Sequence, residues 1–301
     1  MARPRAVREI VLFLTITYVL TLGISLFLPD AHINLLLTVM MPTVTVAILT
    51  FTITPRGSRR ALWRGIGLGR AGRTGRPSWL MALGVPALLV VLAYGTALVL
   101  GVANLKQATF TVGAVANSSI NLLINLAIGT VIILGEEIGW RGFLLPRFQQ
   151  LTDRRRAAVA TGFCHGCFHL PLILIASTYD TEGNRWLVAA VVVVTITAAG
   201  VFYAYLRDRS GSIWPVAVAH NVVNTAFDMG AVATTAAGST SALALVAGES
   251  GFATMAAALA VAAFLLTRGQ VWKQQVVVGE GDTPRPHADS TDTGAATVRA
   301  A

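Results

Sequence analysis

Apolar residues form long runs along this chain, and short polar stretches separate them. About eight runs approach or exceed the roughly 20 residues that a helix needs to cross a bilayer. The runs lie at 11–28, 33–53, 79–101, 120–137, 157–176, 186–206, 213–229 and 242–266. Hydrocarbon offers no partner for open backbone groups, so continuous runs of this kind predict helices. Membrane β-strands would instead be short and would alternate apolar with polar residues.

The composition supports this interpretation. Of the 301 residues, 54% are hydrophobic and 12% are charged, whereas soluble domains carry about 25% charged residues. We therefore predict an all-α fold, a polytopic membrane helical bundle of about eight transmembrane helices. Residues 274–301 are polar and rich in Pro, Gly, Ser and Thr, and this composition predicts a disordered cytoplasmic tail.

Basic residues are concentrated in alternate loops. Arg3, Arg5 and Arg8 precede the first run, and seven arginines without an acid lie between the second and third runs. The opposite loops contain only Lys106 and Arg185. The positive-inside rule then places both termini in the cytoplasm of a multi-pass protein of the cell (plasma) membrane. We expect the basic loops to contact membrane lipids with anionic headgroups. The net charge of +9 does not indicate nucleic-acid binding, because no aromatic and basic surface module is present.

Two adjacent acids interrupt the apolar pattern at the end of the fourth run. If that helix continues, Glu137 and Arg141 are four residues apart and can pair on one face. Glu136 points about 100° away and is left free, so it can act as a base in a site of low dielectric constant. The alternative interpretation is a cluster at the membrane boundary whose side chains extend to the interface.

Two pairs of polar residues lie on later runs, each at a spacing of four. His165 and His169 share a face of the fifth run, and His220 and Asn224 share a face of the seventh. Each pair alone is compatible with satisfied core residues or with hydrogen bonds between membrane helices. Ionisable residues within membrane spans are rare and costly, however, and together these groups predict one buried site for chemistry or ion transfer.

The three clusters resemble the motifs of the CAAX prenyl endopeptidase and bacteriocin-processing (CPBP) family of intramembrane proteases. The sequence EEIGWR at 136–141 matches the EExxxR motif, and HLP at 169–171 matches the second motif. His165 stands where the family usually has Phe or Trp. The sequence SIWPVAVAHNVVN, which contains His220 and Asn224, matches the HxxxN motif. Order and spacing agree over residues 115–228.

The resemblance implies an intramembrane glutamic-type endopeptidase that forms no acyl-enzyme. Glu136 would be the general base that activates water, helped by His169. His220 and Asn224 would form the oxyanion site. From the apolar runs we predict that residues 1–273 form the membrane-embedded domain, and the resemblance implies a catalytic core at about 115–230.

The remaining motif residues have supporting roles in this interpretation. Glu137 and Arg141 would hold the first motif in shape, as their spacing also indicates. His165 is either a second-shell partner of His169 or a packing substitute for the missing aromatic residue.

A zinc site is the main alternative for the chemistry. Glu136, His169 and His220 are residue types that bind zinc with water as the fourth ligand. The resemblance favours a mechanism without a cofactor, and the chain contains no HExxH sequence.

Two alternatives concern the function itself. Buried Glu and His on broken helices also suit a proton-coupled transporter, and a non-catalytic immunity or scaffold protein could share the fold. For the protease, the expected partner is a membrane-anchored peptide or protein substrate. The sequence does not decide whether that substrate is prenylated.

Overall fold

The computed structural model describes residues 2–28, 30–69, 71, 76–176 and 184–272. Helices make up almost all of this part of the chain. The long helices are α1 (Ala2–Phe27), α2 (Ala31–Thr52), α4 (Arg76–Val99), α5 (Val112–Glu137), α7 (Arg154–Phe168), α9 (Arg185–Ser210), α10 (Trp214–Ala233) and α12 (Phe252–Arg268). The predicted disordered tail, 274–301, lies outside the described residues.

Shorter elements connect the long helices. They are the helices α3 (Arg56–Ile66), α6 (Leu145–Phe148), α8 (Leu170–Leu174) and α11 (Thr240–Ala247), a π-helical segment (Ile138–Leu144), and the 3-10 turns Gln107–Phe110 and Gln270–Trp272. Two three-residue strands, β1 (Ala103–Leu105) and β2 (Thr234–Ala236), pair antiparallel, with Asn104 opposite Thr235.

Seven helical segments of the described chain are long and apolar enough to cross a membrane. The prediction of an all-α polytopic bundle is therefore confirmed. The seventh predicted run corresponds to α10, which has 20 residues but is less apolar because it carries His220, Asn221, Asn224 and Asp228. It packs against α4, α5 and α9, so His220 and Asn221 are buried and Asn224 is half-buried, whereas Asp228 is exposed. The cytoplasmic position of both termini stays a prediction.

Three predicted runs have different ends or are interrupted. The fourth helix starts earlier, at Val112, and continues through the π-helical segment and α6 to Phe148. The fifth breaks at His169, between α7 and α8, where Pro171 occupies the first turn of α8 and has no N–H to continue the helix. The eighth divides into α11 and α12.

Side-chain caps fix the beginnings of several helices. Asp30, Asp153 and Asn184 each accept hydrogen bonds from backbone N–H groups in the first turns of α2, α7 and α9. Such bonds satisfy donors that have no partner inside the helix. At Asp153, which lies outside the membrane spans, the bonds from Arg156 and Arg155 lower the pKa of the carboxyl group.

The largest apolar cluster lies around the π-helical segment. Trp140 and Phe143 of that segment pack with Phe13 of α1, and the cluster extends to Ile66 of α3 and Phe168 of α7. The ring of Phe13 meets Trp140 edge-on at 5.5 Å and stacks on Phe143 at 5.3 Å. These contacts hold the segment between α1, α3 and α7.

Helices α7 and α9 cross at glycine positions. A Cβ atom on Gly200 of α9 would collide with the Cα of Gly162 on α7, and a Cβ on Gly166 would lie 2.8 Å from the carbonyl oxygen of Val193. Small residues permit this close approach of backbones, which is a main source of helix association in membranes. The crossing brings α9 next to Arg141, whose Nη2 would lie 3.3 Å from a Cβ on Gly200.

We predict that Gly200→Val separates α7 from α9 and destabilises the protein by about 2–3 kcal/mol, since overpacking a tight contact forces backbone shifts. The matched control is Gly84→Val on α4, where a Cβ meets no atom within 4 Å. Thermal unfolding in one detergent compares both variants with the wild type. Equal midpoints for the two variants would contradict the role given to this crossing.

Candidate active site

The two glutamates occupy the last turn of α5, directly before the helix widens. Glu136 is 3% exposed, and Glu137 and Arg141 are 0% exposed. The backbone N–H of Leu145 bonds to the carbonyl oxygen of Trp140, five residues earlier. Such π-helical turns are rare and occur frequently at functional sites.

Glu137 forms the centre of a buried ion pair. Arg141 Nη1 donates to both carboxylate oxygens, at 3.0 Å and 3.2 Å, as the spacing of four predicts. His220 Nδ1 lies 2.8 Å from Glu137 Oε1, and since a carboxylate only accepts, Nδ1 carries the proton. Glu137 thereby joins the end of α5 to α10.

Glu136 has a separate partner, His165. The distance between His165 Nε2 and Glu136 Oε2 is 2.6 Å, and Arg141 Nη1 lies 3.2 Å from His165 Nδ1. A guanidinium only donates hydrogen bonds, so Nδ1 must be the acceptor. His165 is then the neutral tautomer with its proton on Nε2, and it donates to Glu136. The expectation that Glu136 is left free is therefore not met, although its partner is a neutral group.

His169 lies at the break between α7 and α8, on the same side as His165. The Nε2 atoms of the two histidines are 3.5 Å apart, and ligand atoms of Glu136, His165 and His169 all lie within 4.8 Å of one another. Asn224 lies one turn after His220 on α10 and is half-buried. Among the described hydrogen bonds, none joins Asn224 to the cluster.

Aromatic rings form two walls of the cluster. Trp140 stacks on His165 with ring centroids 5.1 Å apart, and Tyr203 of α9 stacks on His220 at 5.3 Å. The Arg141 guanidinium lies 4.8 Å from the centre of the Tyr203 ring, a cation–π contact. The rings restrict the orientation of both imidazoles.

Sequence reasoning did not identify three residues that contribute to the site. Trp140 lies inside the first motif, so its position was a signal, whereas nothing in the sequence marks Tyr203. Asn221, next to His220, bonds to the carbonyl oxygen of Asn125 at 2.8 Å and to Thr130 Oγ1 at 3.2 Å. It fixes α10 against α5 beside the cluster.

Among the described residues, Glu136, His165 and His169 form the group whose ligand atoms could hold a metal ion, and the two histidine Nε2 atoms are 3.5 Å apart, but the distance between Glu136 and His165 is shorter than zinc ligands have. The predicted zinc set contained His220, but His220 bonds to Glu137, and His165 takes its place in the group. Zinc bonds of about 2.0–2.1 Å would separate two tetrahedral ligand atoms by about 3.3 Å, whereas Glu136 and His165 are at hydrogen-bond distance. The nitrogen of His165 that faces Glu136 also carries a proton, because Arg141 occupies the other nitrogen.

The fold is that of a multi-pass membrane protein, and it encloses a buried cluster of carboxylate, guanidinium and imidazole groups. Residues 117–226, from α5 to α10, match a family model described as type II CAAX prenyl endopeptidase Rce1-like. Comparison with curated proteins finds no match. This segment contains every residue of the cluster, and the match agrees with the predicted resemblance to the CPBP family. It supports an intramembrane endopeptidase in general terms, with membrane-associated proteins or peptides as substrates.

We predict that Glu137→Gln and Arg141→Met each destabilise the protein by about 3–5 kcal/mol, because each leaves a buried charge without its partner. Purification yield and thermal midpoint measure this loss. Glu136→Gln is the control, since its amide oxygen still accepts from His165, and its midpoint stays near that of the wild type. A comparable loss in all three variants would contradict this division between the two glutamates.

Proposed function

We propose that the protein hydrolyses a peptide bond of a membrane-anchored protein or peptide, with Glu136 as the general base and without a metal ion. The observation that carries this proposal is the different bonding of the two adjacent acids. Both oxygens of Glu137 accept from Arg141, and one also accepts from His220. Glu136 accepts only from the neutral His165 among the described hydrogen bonds.

This difference supports Glu136 as the base. The charge of Glu137 is balanced by Arg141, so a proton on Glu137 would break an ion pair. Glu136 has no cationic partner of its own, and its Oε1 accepts none of the described hydrogen bonds. That oxygen can receive a proton from a water held between Glu136 and His169. A positioned carboxylate of this kind contributes about 10²- to 10⁴-fold to the rate.

The reaction then follows from these positions. Glu136 takes one proton from water, and the resulting hydroxide attacks the carbonyl carbon of the substrate to give a tetrahedral intermediate. Glu136 returns the proton to the amide nitrogen as the C–N bond breaks. His169 orients the water in this scheme, and no covalent enzyme intermediate forms.

His220 and Asn224 would stabilise the oxyanion. His220 donates through Nδ1 to Glu137, so only a second proton on Nε2 makes it a donor toward the substrate. With both glutamates ionised and Arg141 charged, the buried groups sum to a formal charge of −1. A proton on His220 brings the sum to zero, which suits a site of low dielectric constant. The Asn224 amide adds a neutral donor one turn away.

The depth of the cluster supports a membrane-anchored substrate. Glu136 lies in the last turn of α5, and Arg147 follows eleven residues later, near the basic end of the bundle. A peptide bond close to a lipid anchor would lie at this depth. The matching family's name refers to prenylated substrates, and a prenyl group is our first candidate for the anchor.

We predict that Glu136→Gln lowers the rate of peptide cleavage about 10³-fold and leaves the fold intact. The assay uses the full chain in detergent with matched fluorogenic peptides that carry a prenyl chain, an acyl chain or no lipid. Wild type and variant are assayed with and without a zinc chelator.

The outcomes separate the alternatives. Cleavage that needs Glu136 and survives chelation supports the proposal. Cleavage lost on chelation and restored by zinc would mean that Glu136, His165 and His169 rearrange to bind a metal. Absence of cleavage of every peptide by a folded wild type, together with pH-dependent ion flux that needs Glu136, would favour the transporter.

A further prediction concerns His165, which we propose as a positioning residue for Glu136. His165→Phe restores the aromatic residue usual in the family but removes the bond to Glu136, and we expect kcat to fall about tenfold with KM unchanged, as for one lost hydrogen bond. His165→Gln, which can donate to Glu136 and accept from Arg141, should recover much of kcat. Full activity of the Phe variant would mean that His165 only fills space.

A further inference from the structure

Helix α3 carries a row of arginines on its exposed face. Arg56, Arg60 and Arg64 are spaced by four residues, and all three are exposed. A spacing of four places side chains on one face of a helix. We call these three residues the basic stripe.

Another side of α3 carries apolar residues that pack against the bundle. Ile66 is buried in the largest apolar cluster, and Leu62 and Trp63 pack against that cluster. Such a helix, with a strongly charged face and an apolar face, typically lies in the plane of a membrane interface. Its position agrees with this, because α3 follows the apolar helix α2 after three residues.

The basic stripe has no acidic partner in the described part of the chain. No Asp or Glu occurs between Asp30 and Glu136 in the sequence. The acids at the same end of the bundle have other partners: Glu9 pairs with Arg5 and Arg147, and Asp208 accepts from Gln149 and Trp272. The three charges of the row are therefore available to an anion from outside the described residues.

Helix α3 is also joined to the segments that carry the candidate site. Gly142 of the π-helical segment faces Ile66 so closely that a Cβ would lie 2.7 Å from Ile66 Cγ2. Arg207 of α9 donates to the carbonyl oxygens of Gly65 and Ile66, at 3.0 Å and 3.2 Å, and so caps the end of α3.

The turn after α3 accepts hydrogen bonds from the residues at the start of α10. Trp214 Nε1 donates to the carbonyl oxygen of Leu68 at 2.9 Å, and Ser212 Oγ donates to that of Gly69 at 2.7 Å. The backbone N–H of Ile213 donates to the carbonyl oxygen of Gly67 at 3.0 Å. One short helix thus contacts both the segment with Arg141 and the helix with His220.

We propose that α3 binds anionic phospholipid headgroups through the basic stripe and that this binding stabilises the site segments packed against α3. The occupant is lipid rather than a soluble anion because the stripe lies at the end of apolar helices, where headgroups are concentrated. Each arginine near an anionic membrane surface contributes about fivefold to binding. Three arginines together give about 100-fold.

The test titrates the full chain in a neutral detergent with phosphatidylglycerol and measures bound lipid by native mass spectrometry. Arg56→Gln/Arg60→Gln/Arg64→Gln should weaken binding about 100-fold. The matched control, Arg3→Gln/Arg8→Gln/Arg268→Gln, removes three exposed arginines elsewhere and should change binding much less. The triple Lys variant of the stripe should retain most of the binding, because it keeps the charge.

Thermal unfolding tests the link to the site. Saturating phosphatidylglycerol should raise the midpoint of the wild type by about 5 °C and that of the triple Gln variant of the stripe by much less, while both have equal midpoints in phosphatidylcholine. Equal binding of phosphatidylcholine and phosphatidylglycerol, or equal losses in stripe and control variants, would overturn the proposal. So would binding of glycerol phosphate or an acidic peptide as tight as that of the lipid. An unchanged midpoint would overturn the link to the site.

Discussion

A single guanidinium nitrogen, Nη1 of Arg141, connects the two halves of the buried cluster. It donates to Glu137 and also faces His165 Nδ1. The first contact neutralises one acid, and the second sets the tautomer of the imidazole that bonds to the other acid. Arg141 bonds directly to Glu137, but it is connected to Glu136 only through the neutral ring of His165. The two acids therefore differ in chemistry.

The surroundings make this arrangement possible. A guanidinium in an apolar interior is costly, and Nε and Nη2 of Arg141 have no hydrogen-bond partner among the described residues. The ion pair with Glu137 and the face of Tyr203 offset part of that cost. The glycine crossing of α7 and α9 brings Tyr203 and His165 close enough to enclose the charge. Backbone packing and site electrostatics therefore depend on each other here.

Much of the fold follows from the sequence. The apolar runs are long, and in hydrocarbon a continuous run satisfies its backbone hydrogen bonds by forming a helix. The pairing of Glu137 with Arg141 was also predictable from a spacing of four. The partner of Glu136 was not, because it depends on how α7 packs against α5, which no local pattern encodes. The role of Tyr203 was not predictable either, because its contact with Arg141 depends on where α9 packs. The break between α11 and α12 was missed because a run of apolar residues hides a turn that contains two glycines.

The amphipathic character of α3 was hidden for a related reason. Its arginines lie in a short basic stretch between two apolar runs, where their number is evident but their spacing of four is not. Leu62, Trp63 and Ile66 supply the other half of the pattern, spread over only five positions. A pattern this short resembles that of a polar loop between two membrane spans.

The π-helical segment contains one residue more than the same length of α-helix would need. Loss of any one residue between 138 and 144 would allow a regular α-helix, which is locally more favourable. The positions beyond such a deletion would keep their facing, so Arg147 could still donate to Glu9, as it does at 2.8 Å. Straightening the segment without a deletion would instead turn those positions by about 100°. The extra residue therefore sets the angle between the acid pair and the following basic turn.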